Sequence, residues 1–263
     1  MNYKIENYYS DGYVIVKNLL NKSLINDLKK IIKLNLYFRS KFKKKKFHDD
    51  LIRFRKRHTG SFSLFFDSLQ TLSLNYDILT QKKIFKLVNK LLKNSKKSIS
   101  ITDVALRIDP PFDDRNTLKW HQDSSYFRQN DNGFNGLVIW SPIFEINSKT
   151  GGIEFLEKSY KIGPQNVKRQ KAKKGYSSQR SMDEDKLKKF KKIKCDSIKL
   201  GDAIIMNMDM VHRSSFNNSN KNRITLIGRY HNTISGDFNS GLNFFKYSNQ
   251  KLNKEVHGHQ KIL

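Results

Sequence analysis

Cysteine is almost absent from this 263-residue chain: with Cys195 alone, no internal disulfide can form. Long apolar runs are missing as well, and none approaches the roughly 20 residues needed to cross a bilayer. Residues 1–11 are polar and carry no apolar core of a secretory leader, so a reducing, cytoplasmic setting is the simplest expectation. Proline is scarce, at four residues, and no Pro/Gly/Ser-rich linker or internal repeat divides the chain. A single domain over residues 1–263 is therefore expected, with room for a sizeable core. Acidic residues are the other shortage: 24 Asp and Glu stand against 51 Lys and Arg, a net charge of +27.

That charge raises nucleic acid and anionic membranes as partner classes. The excess is mostly lysine, however, whereas planar, bidentate recognition of phosphate favours arginine. A genome biased toward A and T also yields a chain rich in Lys, Asn and Ile without selecting any partner. Nucleic acid is not expected as the main substrate. An anionic small molecule, such as a phosphorylated or nucleotide-linked compound, is compatible with the charge. Aromatic residues make up 12% and are spread along the chain, which argues against disorder.

The pattern along the chain is helical first and β later. Tyr13–Val16 reads as a short strand. Leu24, Leu28, Ile31 and Ile32 follow at helical spacing, with Asn21 or Ser23 as the cap. Residues 41–57 are basic and read as a solvated loop or helix face. A second helix is expected over 81–93, with Ile84, Val88, Leu91 and Leu92 on one side and Thr80 as its cap. Beyond Lys97 short apolar runs at 99–108, 137–146, 153–156, 203–206 and 223–230 alternate with turn signals at Pro110-Pro111, Gly151-Gly152 and Gly201-Asp202. This order predicts an α+β chain with a jelly-roll core. Residues 161–194 are long, basic and weakly periodic, with a helix expected near 183–190. They read as an insertion between core strands, of a length often found in lids.

Three pieces carry chemistry. In Trp120-His121-Gln122-Asp123, a strand would place His121 and Asp123 on one face, an imidazole and a carboxylate side by side. Taken alone, such a pair is as well explained by a structural hydrogen bond. His212, soon after an apolar strand, is by itself equally ordinary. Arg223 opens another apolar strand, where a guanidinium is costly to bury without an anion and is suited to grip a carboxylate. Together they form a set: two histidines and one carboxylate leave coordination positions open, as in non-haem iron(II) oxygenases, and Arg223 is placed to anchor a 2-oxo acid.

The chain resembles the phytanoyl-CoA dioxygenase family of iron(II)- and 2-oxoglutarate-dependent oxygenases over most of its length. The resemblance is carried, in order, by the opening Asp11-Gly12-Tyr13-Val14-Ile15-Val16, the Trp120-His121-Gln122-Asp123 segment and Trp140. It continues through Gly151-Gly152-Ile153-Glu154 and the block Gly201-Asp202-Ala203 with His212, Ser214, Asn217, Ser219 and Arg223. It implies a double-stranded β-helix (jelly-roll) core with N-terminal helices packed on the major sheet. It also implies iron(II) on His121, Asp123 and His212, and 2-oxoglutarate held by Arg223 with help from Ser214. Gln122 and Trp140 would sit near the cosubstrate and substrate. Arg107 is either a further cosubstrate contact or half of a structural salt bridge.

The implied reaction consumes dioxygen and 2-oxoglutarate, releases succinate and carbon dioxide, and by default hydroxylates a small-molecule substrate. Where the family usually shows P-G-S-H, this chain has Glu157-Lys158-Ser159-Tyr160, which leaves that loop without an assigned role. The aspartate is present, unlike in halogenating relatives. His257 and His259 fall in a polar tail and are not expected to be ligands. Two other readings stay open: a non-catalytic jelly-roll binding protein, and a nucleic-acid binder with basic and aromatic residues interleaved along one groove.

Overall fold

The computed structural model describes residues 5–42, 46–115, 117–127, 129–165, 167–170 and 179–239. His257, His259 and the middle of the 161–194 insertion lie outside them. The described residues hold six α-helices and ten strands. In chain order these are α1 (Ile5–Asp11), β1 (Tyr13–Val16), α2 (Lys22–Ser40), α3 (Phe47–Arg57), α4 (Thr59–Gln70), α5 (Ser73–Leu79), α6 (Lys82–Leu91) and β2 (Ile99–Asp109). The remaining strands are β3 (Gly136–Pro142), β4 (Ile153–Leu156), β5 (Lys168–Gln170), β6 (Gln179–Ser181), β7 (Lys192–Cys195), β8 (Ala203–Asn207), β9 (His212–Ser214) and β10 (Arg223–Asn232).

The strands form an antiparallel five-stranded sheet in the order β1-β8-β3-β10-β2, a three-stranded sheet β7-β4-β9, and the hairpin β5-β6. The inner strands β8, β3 and β10 of the larger sheet are buried on both faces, and the period of two sorts the sheet's side chains. Leu106, Ile108, Leu137, Ile139, Ala203, Ile205, Ile224, Leu226 and Tyr230 face one way, into the layer of helices. Their neighbours Val138, Trp140, Ile204, Met206 and Ile227 face the other way and meet Ile153, Phe155 and Cys195 of the smaller sheet. The result is a jelly roll with its helices on the outer face of the larger sheet.

Helix α2 begins where Asn21 caps it: the side-chain carbonyl accepts from the amides of Ser23 and Leu24. Ile25, Leu28, Ile32 and Leu36 repeat at three- and four-residue steps and are fully buried. Each is worth about 1.5–3 kcal/mol relative to exposure. Helix α6 starts after Gln81, not Thr80, and Gln81 makes no side-chain cap. The basic 41–57 segment contains α3, a helix that buries Asp50, Leu51 and Phe54. Helix α4, not foreseen, guards the edge strand β2. Gln70 donates to the Leu106 carbonyl (2.8 Å) and accepts from the Leu106 amide (2.9 Å), as a neighbouring strand would. The helix expected near 183–190 is a single 3-10 turn, Asp185–Leu187.

Candidate active site

Strand β9 carries His212 and Ser214 on its inner face. Arg213, between them, points away to Glu154 and lies over the Trp120 ring. Opposite, residues 120–123 do not form the expected strand. A single β-bridge joins His121 to His212, with amide-to-carbonyl bonds of 2.9 and 3.0 Å in both directions. Asp123 then opens a 3-10 turn through Ser125. One bridge is enough to bring the three groups together. The imidazole centroids are 4.2 Å apart, Asp123 Oδ2 lies 3.7 Å from His212 Nε2, and one donor atom of each residue lies within 4.8 Å of the others.

The histidines present the right nitrogen. Nδ1 of His121 bonds the Lys119 carbonyl at 2.7 Å, and Nδ1 of His212 bonds the Met210 carbonyl at 2.8 Å. A carbonyl can only accept, so each Nδ1 carries the proton and each Nε2 is left with its lone pair. Burial, together with repulsion from His212, depresses His121 to about 3; burial likewise lowers His212. Burial pushes the Asp123 carboxyl up, but Arg229 and the two imidazoles outweigh it and bring the group to about 2. Two neutral imidazoles and one carboxylate are a donor set that fits a divalent cation.

Two arginines of β10 flank this set from the larger sheet. Arg223, 2% exposed, binds Asp109 Oδ2 through Nε (3.2 Å) and Nη2 (3.1 Å), and the carbonyls of Thr150 and Ser215 through Nη1. The costly buried guanidinium thus has its anion already, and an incoming carboxylate would share Arg223 with Asp109. Burial raises the Asp109 carboxyl, but Arg223 and Arg107 more than reverse that and hold it low. Arg107 Nη2 lies 3.4 Å from Asp109 Oδ1, the structural salt bridge expected of it, and the residue also lines the cavity.

The second arginine, Arg229, escaped the sequence reading. Its signal was present: Arg223, Thr225, Ile227 and Arg229 follow at period two, so an inward Arg223 implies an inward Arg229. Nε and Nη2 of Arg229 donate to Asp123 Oδ1 at 3.1 and 2.9 Å.

Between the sheets lies a cavity lined by His121, Asp123, His212, Arg107, Arg223, Ser214 and Trp140, with Arg229, Leu118, Ile153, Met206 and Ile227 among the other walls. Gln122 is the exception among the expected site residues. Side chains 121 and 123 point inward, so 122 points out. Its amide donates to the Gly163 and Asp209 carbonyls and accepts from the Gln165 amide. It ties the start of the 161–194 insertion to the bridge segment and is no part of the cavity wall. His231 is buried against Asn130, and Cys195 is buried with its thiol pushed up to about 11 by burial.

The sequence model of the phytanoyl-CoA dioxygenase family matches residues 8–225. The chain belongs to that family. No curated protein sequence matches it. Among solved structures, the fold is shared with the epimerase SnoN of nogalamycin biosynthesis, solved with Fe3+ and alpha ketoglutarate (TM-score 0.60, 14% identity, 91% of this chain and 86% of that one). It is shared as well with the non-heme monooxygenase ThoJ (TM-score 0.59, 17% identity, 86% and 76%). A third is EvdO2 from Micromonospora carbonacea var. aurantiaca, complexed with 2-oxoglutarate (TM-score 0.56, 13% identity, 86% and 88%). The stretch that matches the phytanoyl-CoA dioxygenase family includes His121, Asp123, His212 and Arg223, and ends four residues before Arg229.

Proposed function

We propose that this member of the phytanoyl-CoA dioxygenase family is an iron(II)- and 2-oxoglutarate-dependent dioxygenase that oxidises a small molecule. One observation carries the reading: Nε2 of His121, Nε2 of His212 and Oδ2 of Asp123 converge inside a cavity that also contains Arg223. The three donors would hold the iron. Arg223 and Arg107 on the larger sheet, with Ser214 across from them on the smaller one, would hold the dianionic cosubstrate. Bound there, iron(II) and 2-oxoglutarate supply oxidation of a substrate C–H bond at the expense of dioxygen, with succinate and carbon dioxide released and hydroxylation the expected outcome.

The chain's own work is orientation and exclusion of water. Trp140, Ile153, Met206 and Ile227 make the apolar part of the wall. The 161–194 insertion is fastened to both ends of the bridge segment. The Met182 amide bonds the Trp120 carbonyl, and the Tyr126 hydroxyl donates to the Arg180 carbonyl while the Arg180 guanidinium lies over the Tyr126 ring. That attachment supports a role for the insertion as a border of the substrate mouth. Its thirteen Lys or Arg against three acids favour an anionic substrate.

Anaerobic titration of the metal-free protein with iron(II) and then 2-oxoglutarate tests the reading. A weak visible charge-transfer band should grow in wild type and be absent in His121→Ala and Arg223→Ala. A well-folded wild type that gives no band would remove the dioxygenase reading and leave a jelly roll kept for binding.

A further inference from the structure

We propose that Arg229 is a positioning residue: it clamps Oδ1 of Asp123 so that only Oδ2 is offered to a metal, with Asp103 as its outer brace. This rests on the metal-site reading above and adds a device to it.

The need for a clamp follows from local structure. Asp123 sits on a 3-10 turn, beyond a single β-bridge, so no ladder of backbone bonds fixes the direction of its side chain. A carboxylate in that position can turn about its own bonds and offer one oxygen or two. In this chain both Arg229 donors go to the same oxygen, Oδ1, and the other oxygen is the one near His212.

Arg229 is itself held rigidly. Its strand is paired on both sides, with Asp103 of β2 and Val138 of β3 as its partners. Nη1 pairs with the Asp103 carboxylate, and the guanidinium lies 4.1 Å over the Phe127 ring. The β2–β10 register shifts immediately after it, between Arg229 and Tyr230. Such irregularities re-aim side chains next to functional sites. Charge acts in the same direction: Arg229 meets both a buried carboxylate and its brace, and a buried charge is tolerated only when paired. The clamp would also keep Oδ1 from occupying a second coordination position, leaving that position for cosubstrate, substrate or dioxygen.

The test uses Co(II) alone as the probe, with Arg229→Lys, which keeps the charge and removes the two-pronged contact. Partners of metal ligands typically contribute about 10–100-fold in metal affinity. Arg229→Lys should bind Co(II) weaker by that factor, and the visible d–d spectrum of bound Co(II) should change as Oδ1 is freed. Unchanged affinity would mean that Asp123 needs no clamp. Lower affinity with the wild-type spectrum, tracking a lower melting temperature of the metal-free protein, would mean that only fold stability was lost. Either result overturns the proposal. If Arg229→Lys does not fold, Asp103→Asn takes its place: loosening the brace should weaken Co(II) binding, and wild-type affinity there overturns the clamp. His121→Ala separates the two readings. If wild type fails to bind Co(II), or His121→Ala binds it equally well, the metal site itself is wrong.

Discussion

Arg223 already holds a carboxylate in this chain, which makes its replacement informative. Its contacts with Asp109 leave an incoming dianion to share a guanidinium rather than meet an empty one. Lysine keeps the charge but lacks the rigid planar fork that meets a carboxylate with two parallel bonds. Charge-assisted hydrogen bonds are worth about 1.5–3 kcal/mol, so Arg223→Lys should weaken 2-oxoglutarate binding roughly 10- to 150-fold. Calorimetric titration into the metal-loaded protein measures this. Cosubstrate affinity equal to wild type would remove Arg223 from its proposed role. His231 supports a second expectation at this scale. Burial, followed by the nearby Arg229, lowers it from 6.5 to about 4. The unfolded chain takes up its proton near pH 6.5 while the folded chain refuses it down to about 4. The stability His231 permits is therefore intact above pH 6.5 and is lost progressively as pH falls toward 4. At pH 5.5 that is about 1 kcal/mol for this one side chain. His231→Leu should flatten the acid limb of the melting-temperature profile of the metal-free protein. An unchanged slope would show that other groups set it.

Among the elements, β4 has the tightest constraint. A Cβ on Gly152 would collide with the Cys195 carbonyl oxygen, a backbone atom that cannot move without parting β4 from β7. Since Phe155 of β4 pairs with His212, a displaced β4 carries a metal-ligand candidate with it. Gly152→Ala should lower both the melting temperature and Co(II) affinity; loss of neither would mean that the sheet absorbs the change. Elements differed in how readily the sequence disclosed them. Strands β1, β4, β8 and β10 were legible because their residues alternate or run apolar between Gly and Pro turns, and α2 because Asn21 caps a clear apolar stripe. Helix α4 was passed over although Phe62, Phe65 and Leu69 are spaced helically: Gly60 and three serines dilute the pattern, and its burial against β2 is a tertiary fact. The bridge segment shows the opposite failure. His121 and Asp123 were rightly placed together, but the strand assumed for them is a single bridge and a turn. Gln122 was misplaced because alternation at 121 and 123 turns it outward.

At the scale of the whole molecule, the +27 charge and the paired arginines have to be weighed together. Among the described residues, Arg53, Arg55, Arg107, Arg115, Arg213, Arg223 and Arg229 all lie in ion pairs with Asp or Glu. Seven of the twelve arginines, the side chains best suited to grip phosphates, are thus already paired with carboxylates, and most of the remaining excess is lysine. Lysine charge on a surface attracts polyanions without shape, and salt screens it over about 8 Å at physiological ionic strength. Binding of a random single-stranded oligonucleotide should therefore appear only at low salt and fall away as counterions return to the phosphates. A small anionic substrate held in the cavity between the sheets would respond less to salt, since buried charges are screened less than surface ones. Fluorescence anisotropy of a labelled oligonucleotide across a salt series, in wild type and in Arg229→Lys, separates the two. Oligonucleotide affinity that survives high salt would require stacking along a groove and return nucleic acid to the first rank of substrates. Affinity that collapses with salt, and is the same in both proteins, leaves the charge as a property of the surface and the chemistry to the cavity.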